Sequence, residues 1–263
     1  MRSLFRALRD VDLTIVAPSV TQIPEWLPNV LVNDGMYQEV IGEIQRFRGG
    51  VYVQDKAIPA NALDDLGRHY SDYDYRAWHV LFRDRRQDLC GAIRVGLVSY
   101  GDIEGIDHLQ VLEFLSHMPS DKKAPLETAV RKFLDNCKTL VPSICEPGAW
   151  AVSADVRKGR LAPVLAASIW SLLRVVGGAA GVATATTKHG SANILKKMGG
   201  FDLFLNGMPL VPFYDSYHQC YIELIGFDSD YLNPRLEPTV AQVQDYMSTL
   251  PIITTDARDG DGE

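Results

Sequence analysis

Cysteine is scarce and never clustered: Cys90, Cys137, Cys145 and Cys220 lie far apart, with no C-x-x-C pair. The six histidines show no H-E-x-x-H or comparable ligand spacing. Buried reduced thiols and no structural metal are therefore expected. Also lacking are the G-x-G-x-x-G of dinucleotide sites and the G-x-x-x-x-G-K-[ST] of nucleotide P-loops. There is no G-x-S-x-G, and no cysteine has a recognisable histidine partner, so no covalent nucleophile stands out. Positive charge is short as well: 26 Lys and Arg against 33 Asp and Glu give a net charge of -7. That balance argues against a general nucleic-acid binder. No apolar stretch reaches the roughly 18 residues of a membrane span. The first twenty residues carry charges every few positions and lack the apolar core of a secretory leader. A soluble, cytoplasmic protein is expected.

What is present suits a globular chain. Its 263 residues, 46% apolar and 22% charged, allow one large domain or two small ones with a real core. Residues 1–35 read as an extension, an amphipathic segment followed by a connector punctuated by Pro18, Pro24 and Pro28. Residues 36–250 read as one domain, and 251–263 as a disordered acidic tail. "YQEVIGEIQRF" (37–47) has helical spacing. "VYV" (51–53), "WHVLFRD" and "LCGAIRVGLVSY" read as strands, with 85–88 as a hairpin turn and 54–76 as a loop or short helix. Residues 124–140 read as an amphipathic helix.

The centre is clearer. "GAWAVSA" is a strand, "LAPVLAASIWSLLRVV" an apolar helix ended by Gly177-Gly178, "AAGVATATT" a second strand, and "SANILKKM" a second helix ended by Gly199-Gly200. This is the βαβ pattern of a parallel strand pair. "CYIELIGF" is a later strand and "PTVAQVQDYMSTL" a last helix. Between the first strand and the apolar helix stand Arg157, Lys158, Gly159, Arg160 and Ala162. Free backbone N–H groups at a helix start can cradle an anion, and added cations fit one with several phosphate charges. The plainer reading is a set of solvated cations at a helix end.

The order of elements resembles the GNAT acyltransferase superfamily, in which a strand feeds a [RQ]-x-x-G-x-[GA] loop and a helix. Arg157 takes the first position of that loop and Ala162 the last. Arg160 stands at the usual middle glycine, with Gly159 one position early. "SANILKKMGGF" resembles A-x-x-L-Y-x-x-x-G-F through Ala192, Leu195, Gly200 and Phe201, with Lys196 in place of the tyrosine acid. "RGGVYV" resembles the R-x-x-V-[FY]-V of acyl-homoserine-lactone (autoinducer) synthases and the related long-chain N-acyl amino acid synthases, placing Arg48 and Tyr52. "CGAIRV" resembles their G-x-x-R-L, placing Arg94. "EPGAWAV" resembles their E-x-[SG]-R-[FL]-A-V, placing Glu146, with Ala149 where arginine often stands. Asp72 and Asp74 lie where those families carry an aspartate pair.

The resemblance implies an α/β (α+β) fold with a GNAT-like mixed central sheet flanked by helices. It also implies an enzyme, an N-acyltransferase that moves a fatty acyl group from acyl carrier protein or acyl-CoA to an amino acid amine. No tightly bound cofactor is implied; the thioester is a co-substrate. Glu146 is then the candidate base, or else a strand-end carboxylate paired with Arg94 or Arg48. Arg48 and Arg94 would bind an acceptor carboxylate or pair with Asp72 and Asp74, one arginine in each role. The backbone around Val152 and Ser153 would pair with pantetheine amides. Trp150, Ile169 and Trp170 would line an acyl tunnel, with plain core the default for the last two. Arg157, Lys158, Arg160, Lys188, Lys196 and Lys197 would form a basic rim that steers an acidic carrier protein. Two alternatives stand: a lactone synthase using S-adenosylmethionine, and a catalytically silent acyl-binding module. Against the lactone synthases are a missing N-terminal tryptophan, with Ile58 near its place, and a chain longer than they usually are.

Overall fold

The computed structural model describes residues 11–102, 106–157, 161–188, 190–216 and 218–256. The chain begins with strands β1 (Asp12–Val16) and β2 (Val30–Val32) and the long helix α1 (Asp34–Gln54). Strands β3 (Ala77–Arg83) and β4 (Leu89–Ser99) follow, then helices α2 (Gln110–Ser116) and α3 (Ser120–Cys137). Strand β5 (Ser143–Val152), a single helical turn α4 (Ala154–Arg157), helix α5 (Leu161–Val175), strand β6 (Ala179–Thr186) and helix α6 (Ser191–Met198) form the centre. The remainder is β7 (Phe201–Asp202), β8 (Phe204–Leu205), β9 (Met208–Pro209), β10 (Phe213–Asp215), β11 (Cys220–Asp228), α7 (Glu237–Met247) and β12 (Ile252–Thr254). The fold is mixed α/β, with mostly antiparallel strand pairing and flanking helices, as the sequence led one to expect.

Two compact units divide the chain. The first comprises Met1–Gly96, Ala149–Val176 and Pro238–Glu263. Here β3 lies antiparallel to both β1 and β4, and β12 runs parallel to β1 and to β2. Helix α1 starts cleanly because the Asn33 side chain accepts the Met36 N–H at 2.9 Å. Its inner face carries Tyr37, Ile41, Ile44, Arg48 and Val51, and it packs on Val16, Leu81, Ala92 and Ile253. That face corrects the reading of "VYV" as a strand. Two β-branched residues and a tyrosine favour strands only weakly, and burial of Val51 on the helical repeat outweighs them. Helix α5 is buried on nearly every side and packs against β3, with Leu165 Cδ2 only 3.1 Å from where a Cβ on Gly91 would stand.

The second unit comprises Leu97–Gly148 and Gly177–Glu237. Within it β6 runs parallel to β5 and antiparallel to β11, and β11 pairs antiparallel with β10 and β7. The parallel β5–β6 pair is the one the βαβ pattern announced. Its core joins α2 and α3 through Leu109, Leu112, Leu115, Val130 and Leu134 to Ile144, Val182 and Leu224. The "SANILKKMGGF" stretch has a packing reason: Ala192 and Leu195 are buried, and a Cβ on Gly200 would stand 2.6 Å from Ile225.

Candidate functional site

In the first unit a single turn, Asp72–Arg76, delivers Asp74 to full burial. Arg48, from the inner face of α1, grips it bidentately: Nη1 donates to Oδ1 and Nη2 to Oδ2, each at 2.7 Å. Arg94 on β4 donates from Nη1 to the same Oδ1 at 2.8 Å, and Gln45 donates to Oδ2 at 3.1 Å. Arg48 also donates Nε to His69 Nδ1 and Nη2 to the His69 carbonyl. The ring of His79, on β3, contacts the Asp74 carbonyl through Nε2 at 2.8 Å. Tyr52 meets His69 edge-on, and Tyr73 lies beneath the Arg94 guanidinium at 4.7 Å.

Charge fixes the protonation states here. Burial alone would raise the Asp74 carboxyl, but Arg48 and Arg94 outweigh it and hold that carboxyl well below the usual range. Burial pushes His79 down to about 4, against the pull of Asp74, so this ring is neutral near pH 7. Burial likewise raises the Tyr52 phenol, opposed by Arg48 and Arg94. The arrangement brings together Arg48, Asp74, Arg94 and Tyr52, four residues named by the motif resemblance. Asp72 is exposed instead, accepting from the Tyr70 hydroxyl at 2.6 Å. Sequence reasoning missed Gln45, His69, Tyr73 and His79. Of these, only His79 left a signal, an ionisable residue inside the apolar run "WHVLF".

The residues expected to hold the acyl donor have partners of their own. Arg157 donates to Asp55 Oδ1 at 2.6 Å and to the Val152 carbonyl at 2.8 Å. The Ser153 N–H donates to the Cys90 carbonyl at 3.0 Å. Ala162 is buried in the first turn of α5; Ile169 and Trp170 are core. Trp150 Nε1 is buried without a hydrogen-bond partner among the described residues. Lys158, Gly159 and Arg160 lie outside the described residues. Ala149 has φ 49°, a left-handed residue inside β5, a conformation that strains an L-residue by about 1–2 kcal/mol. Such strain gathers at functional sites. Replacing Arg157 by glutamate should set two carboxylates against each other at Asp55. The partly exposed pair is worth about 1 kcal/mol at most, and a urea melt should show a loss of that order. A gain would return Arg157 to the role of a solvated helix-start cation.

In the second unit, Glu146 caps helix α2: Oε2 accepts the Gln110 N–H at 2.8 Å and Oε1 the Val111 N–H at 2.5 Å. Lys196 Nζ sits 2.5 Å from both Asp202 and Glu223. Those carboxylates outweigh the burial that would lower its ammonium. Lys188 and Lys197 are exposed. Glu146→Gln would turn an NH2 toward a buried backbone donor, and should lower stability by about 1–3 kcal/mol. Denaturation with urea measures it; an unchanged midpoint would free Glu146 of a capping role.

All four cysteines are buried, and burial raises each thiol, Cys90 to about 11. Among the described residues no group of three His, Cys, Asp or Glu side chains is placed to hold a metal ion. No described helix is long and apolar enough to cross a membrane.

The fold is similar to that of acyl-homoserine lactone synthases of known structure. The structure matches that of BjaI, a CoA-dependent acyl-homoserine lactone synthase bound to MTA, with a TM-score of 0.53. The match has 17% identity and covers 95% of this chain and 96% of that one. The same synthase with SAM and isopentyl-CoA gives a TM-score of 0.50, 18% identity and the same coverage. MesI, another CoA-dependent acyl-homoserine lactone synthase, gives 0.51 at 14% identity, covering 95% of this chain and 100% of that one. No protein-family model matches the chain, and no curated protein is similar to it. The near-complete coverage corrects one expectation: synthases of this chain's length exist, so length does not set it apart from them.

Proposed function

We propose that the protein is an N-acyltransferase that moves an acyl group from a phosphopantetheine thioester to the amine of an α-amino acid. The observation that carries this reading is the meeting of two guanidiniums, Arg48 and Arg94, on the fully buried carboxylate of Asp74. Strongly perturbed, buried charge of this kind concentrates at functional sites, and here it occupies positions that match the synthase motifs. Arg48 is spent on Asp74 and His69, which makes it scaffold. Arg94 is the arm proposed for the acceptor's carboxylate, which a planar fork suits.

In the reaction, the amine lone pair attacks the thioester carbonyl; a C–N bond forms and the C–S bond breaks. The amine's proton passes to water acting as base, and a proton ends on the departing thiolate. No enzyme nucleophile is needed, consistent with four thiols held protonated by burial. A coenzyme A donor is favoured over acyl carrier protein, because Arg157 and Lys196 of the expected basic rim are held by carboxylates. S-adenosylmethionine is the second acceptor to consider. It carries an α-amino acid group, and the fold matches a synthase structure that holds it along nearly all of both chains. Mass spectrometry of organic extracts from cells expressing the protein should reveal N-acyl amino acids, or acyl-homoserine lactones on the second reading. Extracts identical to those of cells carrying Arg94→Ala would speak against both.

A further inference from the structure

The last residue of β5 carries a carbonyl that a side chain covers. Just beyond it, the Ser153 N–H donates to the Cys90 carbonyl of β4 at 3.0 Å. Successive residues of an extended chain present their N–H and C=O groups to opposite sides, so the Val152 carbonyl points away from β4. On that side β6 is registered to Ser143–Cys145, at the other end of the strand. At Val152 the partner is a guanidinium: Arg157 Nη2 donates to the carbonyl at 2.8 Å. Arg157 reaches back because α4 turns at once, its own N–H bonded to the Ser153 carbonyl at 3.1 Å. The other terminal nitrogen, Nη1, is anchored 2.6 Å from Oδ1 of Asp55, the residue that ends α1. The anchor is a charge, whereas the Val152 carbonyl is a neutral acceptor that any amide N–H can take over. Such a carbonyl at a strand edge is what an extended, amide-bearing ligand uses when it adds as a strand. Val152 is buried, but the Arg157 side chain over it is partly exposed, so this cover can swing outward without disturbing the core.

We propose that Arg157 sets donor specificity by exclusion: its guanidinium covers the Val152 carbonyl in the free protein and yields it to a pantetheine amide only where the donor also brings phosphate. The proposal rests on the reading of a phosphopantetheine thioester as the acyl donor. On leaving Val152, Nη2 loses one hydrogen bond, while Nη1 stays on Asp55 as the pivot. An ionised phosphate oxygen replaces that bond with a stronger, doubly charged one. A thioester without phosphate takes the same carbonyl and leaves the loss unrecovered. Arg157 thereby acts against phosphate-free pantetheine thioesters, a discrimination made by opposing the wrong ligand.

Isothermal titration of the full chain with octanoyl-CoA and with octanoyl-pantetheine, without any acceptor, tests this. The wild type should bind octanoyl-CoA, and octanoyl-pantetheine more weakly by a factor of about ten or more. Arg157→Ala leaves the carbonyl uncovered and should bind octanoyl-pantetheine about tenfold more tightly than the wild type does. The ratio of the two dissociation constants should fall by about the same factor or more. A residue that merely contacts phosphate would weaken octanoyl-CoA on removal but would not tighten octanoyl-pantetheine. The variant should still fold, melting within about 4 °C of the wild type, because the ion pair it loses is partly exposed. If octanoyl-CoA binds the wild type but Arg157→Ala holds octanoyl-pantetheine no better, the proposal is overturned and Arg157 is a tie between α4 and α1. If octanoyl-CoA binds neither protein, the reading of the donor fails and the proposal with it.

Discussion

Asp74→Ala should leave little or no folded protein at 25 °C. The substitution would strand Arg48, 1% exposed, and Arg94, 6% exposed, facing each other without the carboxylate between them. Removing one partner of a buried ion pair destabilises by about 3–5 kcal/mol, and here two cations lose the same partner. Domains of ordinary stability hold about 5–15 kcal/mol in all. Asp74→Asn keeps the shape and one acceptor oxygen, so it should fold but unfold at clearly lower urea concentration. Equilibrium urea denaturation followed by far-UV circular dichroism checks both variants. An Asp74→Ala midpoint near wild type would mean that the arginines do not depend on Asp74.

Acidification should weaken the fold in two stages, and His79 sets the first. Its folded value is lowered to about 4, against roughly 6.5 in an unfolded chain. Between those values the unfolded chain binds a proton that the folded ring refuses, so stability falls as pH drops from about 6.5 to about 4. The loss is on the order of 3 kcal/mol, or about 10 °C in melting temperature for a chain of this size. Asp74 sets the second stage. Its folded value is depressed, so its contribution is complete above the unfolded carboxylate value of about 3.9 and fades below it. His79→Gln retains a donor toward the Asp74 carbonyl but cannot titrate. Its melting temperature should hold steady from pH 6.5 to 4.5 while the wild type declines. Parallel decline of both would remove His79 as the cause.

The sequence made the centre of the fold legible because its segments are long and their period is clear. The apolar helix, ended by Gly177-Gly178, and the strand beginning at Ala179 each carry one unambiguous pattern, whereas the strand read at 148–154 runs instead from Ser143 to Val152. Two failures have a common origin in brevity. Strands β1 and β12 span five and three residues, too few to show alternation, and they belong to the first unit's sheet only through distant pairing. "VYV" misled because three residues cannot reveal that they extend a repeat begun at Tyr37. The charge cluster was half legible. Arg48, Asp74 and Arg94 emerged from motif resemblance, whereas Tyr73, Gln45, His69 and His79 belong to it through contacts spread over β3, β4, α1 and the 55–76 loop. Arg157 was the least legible of all, since its carboxylate, Asp55, lies 102 residues away.

Release of coenzyme A thiol from octanoyl-CoA, measured with purified protein and each amino acid or S-adenosylmethionine in turn, tests the central claim most directly. The account predicts thiol release that depends on one acceptor. It also predicts one acylated amine per thiol and no acyl group left on the protein by intact mass. Octanoyl-CoA that binds but releases no thiol with any acceptor would contradict it, and would make the protein an acyl-binding module instead.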